Sequence, residues 1–259
     1  MMQPTPISLT GEFDPAIACR GGCARCRREH TLPVGPARGP ALDLFERLTR
    51  EGRIDFDAPK PDPRFSTDYL MGEARGQMFG VLVARGESGE TVALKAFSGQ
   101  YNSAWEVAGW VPPLIDTARF RRDTFESEQR IKAMGRELEG LPPGSPSRDR
   151  LLMRRKTASQ TLMQEIHAMY RLPNFRGETA PLPLAVHPEG NAPTGTGDCC
   201  APKLLGWAAT HGLTPLGLAE FYFGRTNRSG TREHGKFYPS CLDKCGRILG
   251  FMLCGLEGA

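Results

Sequence analysis

Gly195-Thr196-Gly197-Asp198-Cys199-Cys200-Ala201-Pro202-Lys203-Leu204-Leu205 decides how this chain is read, together with Tyr238-Pro239-Ser240-Cys241-Leu242-Asp243-Lys244-Cys245. Each stretch places thiols after turn-forming residues and ahead of an apolar run, which is the pattern of a helix start. The spacing predicts helices from Asp198 to about His211 and from about Cys241 to Cys254. A separation of four residues puts Cys241 and Cys245 on one helical face. Thiols at helix N-termini ionise readily and bind metal as thiolates. Cys199, Cys200, Cys241 and Cys245 are therefore expected to converge on one zinc ion, with three thiolates and an open position favoured over four. Burial as small apolar residues is the plainer use of a free cysteine.

Two residues near these thiols are candidates for moving protons or holding substrate. Asp198 precedes the ligands directly and is the catalytic candidate. Its plainer role is N-cap of the helix that follows. Glu220, toward the end of the apolar strand expected over Thr214–Phe223, is a second carboxylate candidate. Lys203 would hold a substrate carboxylate or phosphate, or lie on the helix surface. His167 and His211 fall on expected helices, where packing or capping is the commoner use.

Upstream, Cys19, Cys23, Cys26 and His30 fall within twelve residues and can fill a Cys₃His site, with Gly21 and Gly22 letting the chain turn tightly. Eight cysteines in 259 residues, with no export signal in Met1 to Pro15, favour metal over disulfides and a cytoplasmic setting. No stretch approaches the ~18 apolar residues of a membrane span. A net charge of +4 permits an anionic partner.

Between these clusters, Pro40–Arg50 is expected to be helical, with Leu42, Phe45 and Leu48 on one face. Met78–Val83 and Thr91–Phe97 flank a polar turn and predict a β-hairpin. The tryptophan pair Trp105 and Trp110 could stack on bases, with core packing the commoner use. Thr117–Leu141 and Ser147–Tyr170 predict an antiparallel helical hairpin around a proline turn. The second helix is expected to bury Leu151, Leu152, Leu162, Ile166 and Met169. It carries Arg150, Arg154, Arg155 and Lys156 near its start, a candidate phosphate-contacting face for nucleic acid or a solvated charged face. Pro181–Pro193 reads as a linker or surface loop. The expected organisation is a Cys/His-containing segment over 1–70 and an α/β domain over 71–259, interrupted by the helical hairpin at about 117–171.

With the helical hairpin set aside, the order is β-hairpin, thiol-bearing helix, strand, thiol-bearing helix. This order resembles the core of the cytidine deaminase-like fold, where His-x-Glu or Cys-x-Glu begins one helix and Pro-Cys-x-x-Cys the next. The resemblance implies a hydrolase: a zinc-dependent deaminase acting on a nucleobase in nucleic acid or a free nucleotide. Here the second motif is Pro239-Ser240-Cys241 with its partner at Cys245, and Ala201 stands two residues after Cys199. A second resemblance rests on Gly197-Asp198-Cys199-Cys200-Ala201-Pro202-Lys203-Leu204-Leu205, Ala219-Glu220-Phe221, Phe237-Tyr238-Pro239-Ser240-Cys241, and Leu162-Met163-Gln164-Glu165-Ile166-His167 with Asn174-Phe175-Arg176-Gly177. These phrases look like the N-terminal extension of some bacterial pseudouridine synthases of the ribosomal large-subunit type. The Arg-Leu-Asp motif of that family's catalytic domain does not occur in these 259 residues. This resemblance implies a non-catalytic, zinc-stabilised module that binds RNA.

Overall fold

The computed structural model describes residues 5–6 and 17–256. Most of Met1–Pro15, the stretch inspected for an export signal, lies outside the described residues. The fold is mixed α/β. Its main sheet has the strand order β1-β5-β4-β8-β9, built from β1 (Thr5–Pro6), β4 (Gln77–Arg85), β5 (Thr91–Phe97), β8 (Thr214–Phe223) and β9 (Phe237–Tyr238). Every neighbouring pair in it is antiparallel. Two short hairpins stand beside it, β2 (Cys19–Cys23) with β3 (Arg28–Leu32), and β6 (Arg171–Pro173) with β7 (Thr179–Pro181). Among the described residues there are seven α-helices. They are α1 (Arg38–Glu51), α2 (Asp68–Met71), α3 (Thr117–Glu139), α4 (Pro146–Met169), α5 (Leu182–Ala185), α6 (Cys200–Thr210) and α7 (Gly246–Leu253).

Strand β4 is apolar on both faces because both are covered. Phe79, Val81 and Val83 enter one cluster, with α1 and Trp110, while Leu82 and Ala84 enter the other, with α6 and α7. The period-two alternation of a strand divides β8 likewise. Ala219, Phe221 and Phe223 join the first cluster and Leu218 the second. Glu220 therefore projects toward the α6 side. It pairs across the sheet with Gly80, where a Cβ would lie 2.7 Å from the Cβ of Cys200. That missing side chain lets α6 settle directly onto the sheet.

The expected β-hairpin, the 214–223 strand and both long helices are present within a few residues of their expected bounds. Trp110 is core, its indole N–H donating to the Ile54 carbonyl at 2.8 Å. Several expectations need correction. The two motif helices begin later, at Cys200 and Gly246, so Cys241–Cys245 is a pre-helical turn. Helix α1 buries Ala41, Leu44 and Leu48 and leaves Leu42 exposed, since its face is set by the sheet it meets. Helix α4 buries Leu151, Leu162 and His167, with Leu152 at the surface. Pro181–Pro193 divides: its first part forms the short helix α5, with Leu182, Ala185 and Val186 buried in the core, while residues 188–191 are exposed loop as expected. Residues 17–70, the part of the N-terminal segment whose side chains are described, contribute to both apolar clusters, Cys19 and Leu32 to one, Val34 to Leu70 to the other.

Hairpin β2–β3 reaches α7 through glycines. A Cβ on Gly250 would lie 2.1 Å from the Gly22 carbonyl oxygen, and one on Gly21 would lie 2.5 Å from the Gly250 nitrogen. Gly250→Ala should destabilise the protein by roughly 1–3 kcal/mol, because overpacked backbone must shift. Gly135→Ala, in the α3 interior with only Arg155 Nε at 3.8 Å from the added carbon, should stabilise by about 0.5–1 kcal/mol. Urea denaturation of the two variants should show opposite changes in midpoint.

Candidate metal centres

The first centre is built from the hairpin and the end of α7. Cys23 closes β2, Cys26 lies in the turn, His30 is on β3, and Cys254 caps α7. Their ligand atoms all lie within 4.8 Å of one another. Cys26 Sγ is 2.9 Å from His30 Nε2. Arg27 adopts φ 57° in the turn, and its N–H donates to the Cys23 carbonyl at 2.9 Å, which folds Cys26 back toward Cys23. Arg176 Nε donates to Cys254 Sγ at 3.1 Å, and Phe175 N–H to the Cys254 carbonyl at 3.0 Å. Burial pushes the Cys254 thiol up to about 11, with the Arg176 hydrogen bond opposing it and Cys26 and Cys23 reinforcing it. Three sulfurs and one imidazole nitrogen at this spacing suit zinc, whose structural sites take four such donors. Arg176 supplies the outer partner that such ligands use.

The expected N-terminal set named Cys19 in place of Cys254. Cys19 shares a strand face with Cys23 but lies at the other end of β2, about 13 Å away at ~3.3 Å per residue, in the core, where burial pushes its thiol up to about 12, with Ser240, Glu220 and Cys245 close by. Cys254 offered little warning in the sequence, since it stands alone at the end of the last helix.

The second centre joins the two motif stretches. Gly195 and Gly197, at φ 78° and 99°, turn the chain so that Cys199 becomes the N-cap of α6 in extended conformation. Cys241 and Cys245 face it from the turn before α7, closed by Gly246 N–H donating to the Cys241 carbonyl at 2.7 Å. The three thiols perturb one another. Cys241 and Cys245, ahead of burial, push Cys199 well above the ordinary thiol range. Cys199 and Cys245 together hold Cys241 far below it. Cys245 is lowered by Cys199, but Cys241 and burial outweigh this and push it up to about 12.

Cys200 is not part of this group. Successive helical residues diverge by about 100°, and Cys200 Sγ faces the sheet, donating to the Met78 carbonyl at 3.4 Å. Asp198 is not the helix cap either. It accepts a hydrogen bond from Tyr170 Oη, its carbonyl accepts from Gly99 N–H at 2.7 Å, and burial raises its pKa. Lys203 is buried rather than on a surface, donating to the carbonyls of Phe97 and Gly99 at 2.9 Å each. Glu220 lies under the start of α6, its Oε1 accepting from Ala201 N–H at 2.9 Å. Burial pushes its carboxyl up to about 7, opposed by that hydrogen bond.

The basic residues expected to meet phosphate lie on α4. Arg150, Arg154, Arg155 and Lys156 are all exposed, and none makes an ion pair among the described residues. No helix among the described residues is long and apolar enough to cross a membrane. No protein-family model, curated protein or solved structure matches this chain.

Purified protein should carry zinc at both centres. Cys254→Ser should lose the metal of the first and Cys199→Ser that of the second, while Cys200→Ala keeps both. Elemental analysis counts the ions. Cobalt substitution should distinguish a four-donor first centre from a second centre to which the chain brings three thiolates.

Proposed function

We propose that this protein is a cytoplasmic, zinc-stabilised module that binds nucleic acid, RNA above all, and accompanies RNA modification without itself carrying out the modifying reaction. The observation that carries this reading is the exposed basic start of α4, where Arg150, Arg154, Arg155 and Lys156 stand within two helical turns with no carboxylate partner among the described residues. Counterion release from phosphates is the interaction such a face performs well. The metal centres fit a structural role. The first has a full set of four donors, and the second lies among side chains already engaged, Asp198 with Tyr170 and Glu220 with Ala201. The resemblance to the extension of pseudouridine synthases supports the same reading.

One observation favours a second reading, a zinc-dependent deaminase with a cytidine deaminase-like core. The Glu220 carboxylate sits on the N–H of Ala201, two residues after Cys199, so a carboxyl group lies near where the glutamate of a Cys-x-Glu motif would start. Zinc held by Cys199, Cys241 and Cys245 would supply Lewis acidity toward a water molecule. Glu220, pushed up to about 7, would hold the proton to be delivered to the leaving amine. Its 4% exposure means that substrate would need a path past Cys241 and Ser240.

Single-stranded RNA should bind with log K falling steeply against log salt. Replacing all four basic residues by alanine should flatten that slope by up to about 3, from roughly 0.7 per phosphate contact. Salt-insensitive binding, or a slope the quadruple variant leaves unchanged, rejects the α4 face. For the second reading, ammonia release from cytidine, adenosine and RNA by zinc-loaded protein is the assay. Release abolished by Glu220→Gln with zinc retained supports a deaminase; no release from any of these substrates rejects it.

A further inference from the structure

A cavity of about 300 Å³ opens between α4 and the loop before the second metal centre. It is lined by Gln160, Met163, Gln164 and His167 from the helix and by Asn191 and Ala192 from the loop. The helical residues follow the spacing i, i+3, i+4, i+7, so they form one stripe. None of the six lining residues is a carboxylate, Lys or Arg. Three are primary amides, each offering a donor and an acceptor side by side.

His167 is the unusual member. It is only 7% exposed, and its Nε2 has no hydrogen-bond partner. The ring lies beside the Pro193 carbonyl and near Asp198. Burial, the larger effect against nearby Asp198, lowers its pKa and keeps the ring neutral. A buried polar atom without a partner is costly. His167 lines the cavity while its Nε2 is itself closed off from solvent, so the groups open to a ligand are the three amides with Met163 and Ala192.

The lining selects the class of that ligand. Paired amide donors and acceptors match the edge of a planar, uncharged heterocycle, and Met163 and Ala192 offer apolar surface to its face. Single-stranded bases are recognised by edge hydrogen bonds of this kind. Lys156 lies on the same stripe one turn before Gln160, about 6 Å along the axis, which is within reach of a phosphate attached to a base in the cavity.

We propose that this cavity binds one unpaired nucleobase of an RNA strand, with Gln160, Gln164 and Asn191 reading its edge and Lys156 meeting the adjoining phosphate. The inference rests on the nucleic-acid reading above and adds the place where a base is held.

The test uses zinc-loaded full-length protein with ¹³C-methyl methionine, the Met163 signal being assigned by Met163→Leu. AMP, GMP, CMP and UMP are titrated separately, with ribose 5-phosphate as the baseless control. A saturable ring-current shift of the Met163 methyl is expected with at least one nucleotide and none with ribose 5-phosphate. Gln160→Leu and Gln164→Leu, at exposed positions, should each weaken that nucleotide about five-fold. Lys156→Gln should weaken the nucleotide and leave the corresponding nucleoside unchanged. No shift with any nucleotide, an equal shift with ribose 5-phosphate, or affinity indifferent to both glutamine variants overturns the proposal. If RNA still binds salt-sensitively while Met163 stays silent, the cavity falls and the α4 phosphate face stands. If Met163 responds to nucleotides but no RNA binds, the base site stands and the RNA reading falls.

Discussion

A carboxylate in the middle of an apolar sheet needs a partner, and Glu220 finds one in the first N–H groups of α6, at 2.9 Å from Ala201 N. A helix N-terminus carries partial positive charge and free N–H groups, so this contact satisfies both partners. It also fixes where α6 begins. With the start of α6 fixed over Gly80 and Glu220, Cys199 must sit just outside the helix, facing the 241–245 turn, and Cys200 must face the sheet. Lys203 ties the same helix to the end of β5 through the Phe97 and Gly99 carbonyls. The position of the second thiol group is thus a consequence of one buried acid on the central strand.

The two thiol groups bring together regions that are distant in sequence. One joins the hairpin of residues 19–32 to the end of α7; the other joins the start of α6 to the turn before α7. Helix α7 has only eight residues and lies between them. A helix this short draws little stability from its own hydrogen bonds. Its order depends on packing with the glycine-rich hairpin and on its two thiol-bearing ends. Metal binding to such sites is coupled to folding, because the ligand set does not exist in the unfolded chain.

The α3–α4 arm has a different character. Its two long helices bury few side chains, and Phe125 and Met153 remain exposed. Only the C-terminal part of α4 returns to the body of the protein, where His167 and Tyr170 meet the 193–198 loop. One helix therefore connects an exposed basic start to a partly buried polar cavity beside the second thiol group.

Much of this was legible in the sequence. Turn residues marked both thiol stretches, alternation marked β4, β5 and β8, and a proline turn between two charged runs marked the arm. Those signals are local, since each depends on neighbours a few residues away. The sequence by itself determined the mixed α/β class, the long helices, the central strands and the fact that the cysteines cluster. Only the tertiary structure decided which cysteines meet. It replaced Cys19 by Cys254, turned Cys200 into the core, buried Lys203, and left the buried His167 Nε2 without a hydrogen-bond partner. The reason is directional: spacing along the chain says which residues are near one another in sequence, while the face each side chain presents is set by the sheet and helices that close over it.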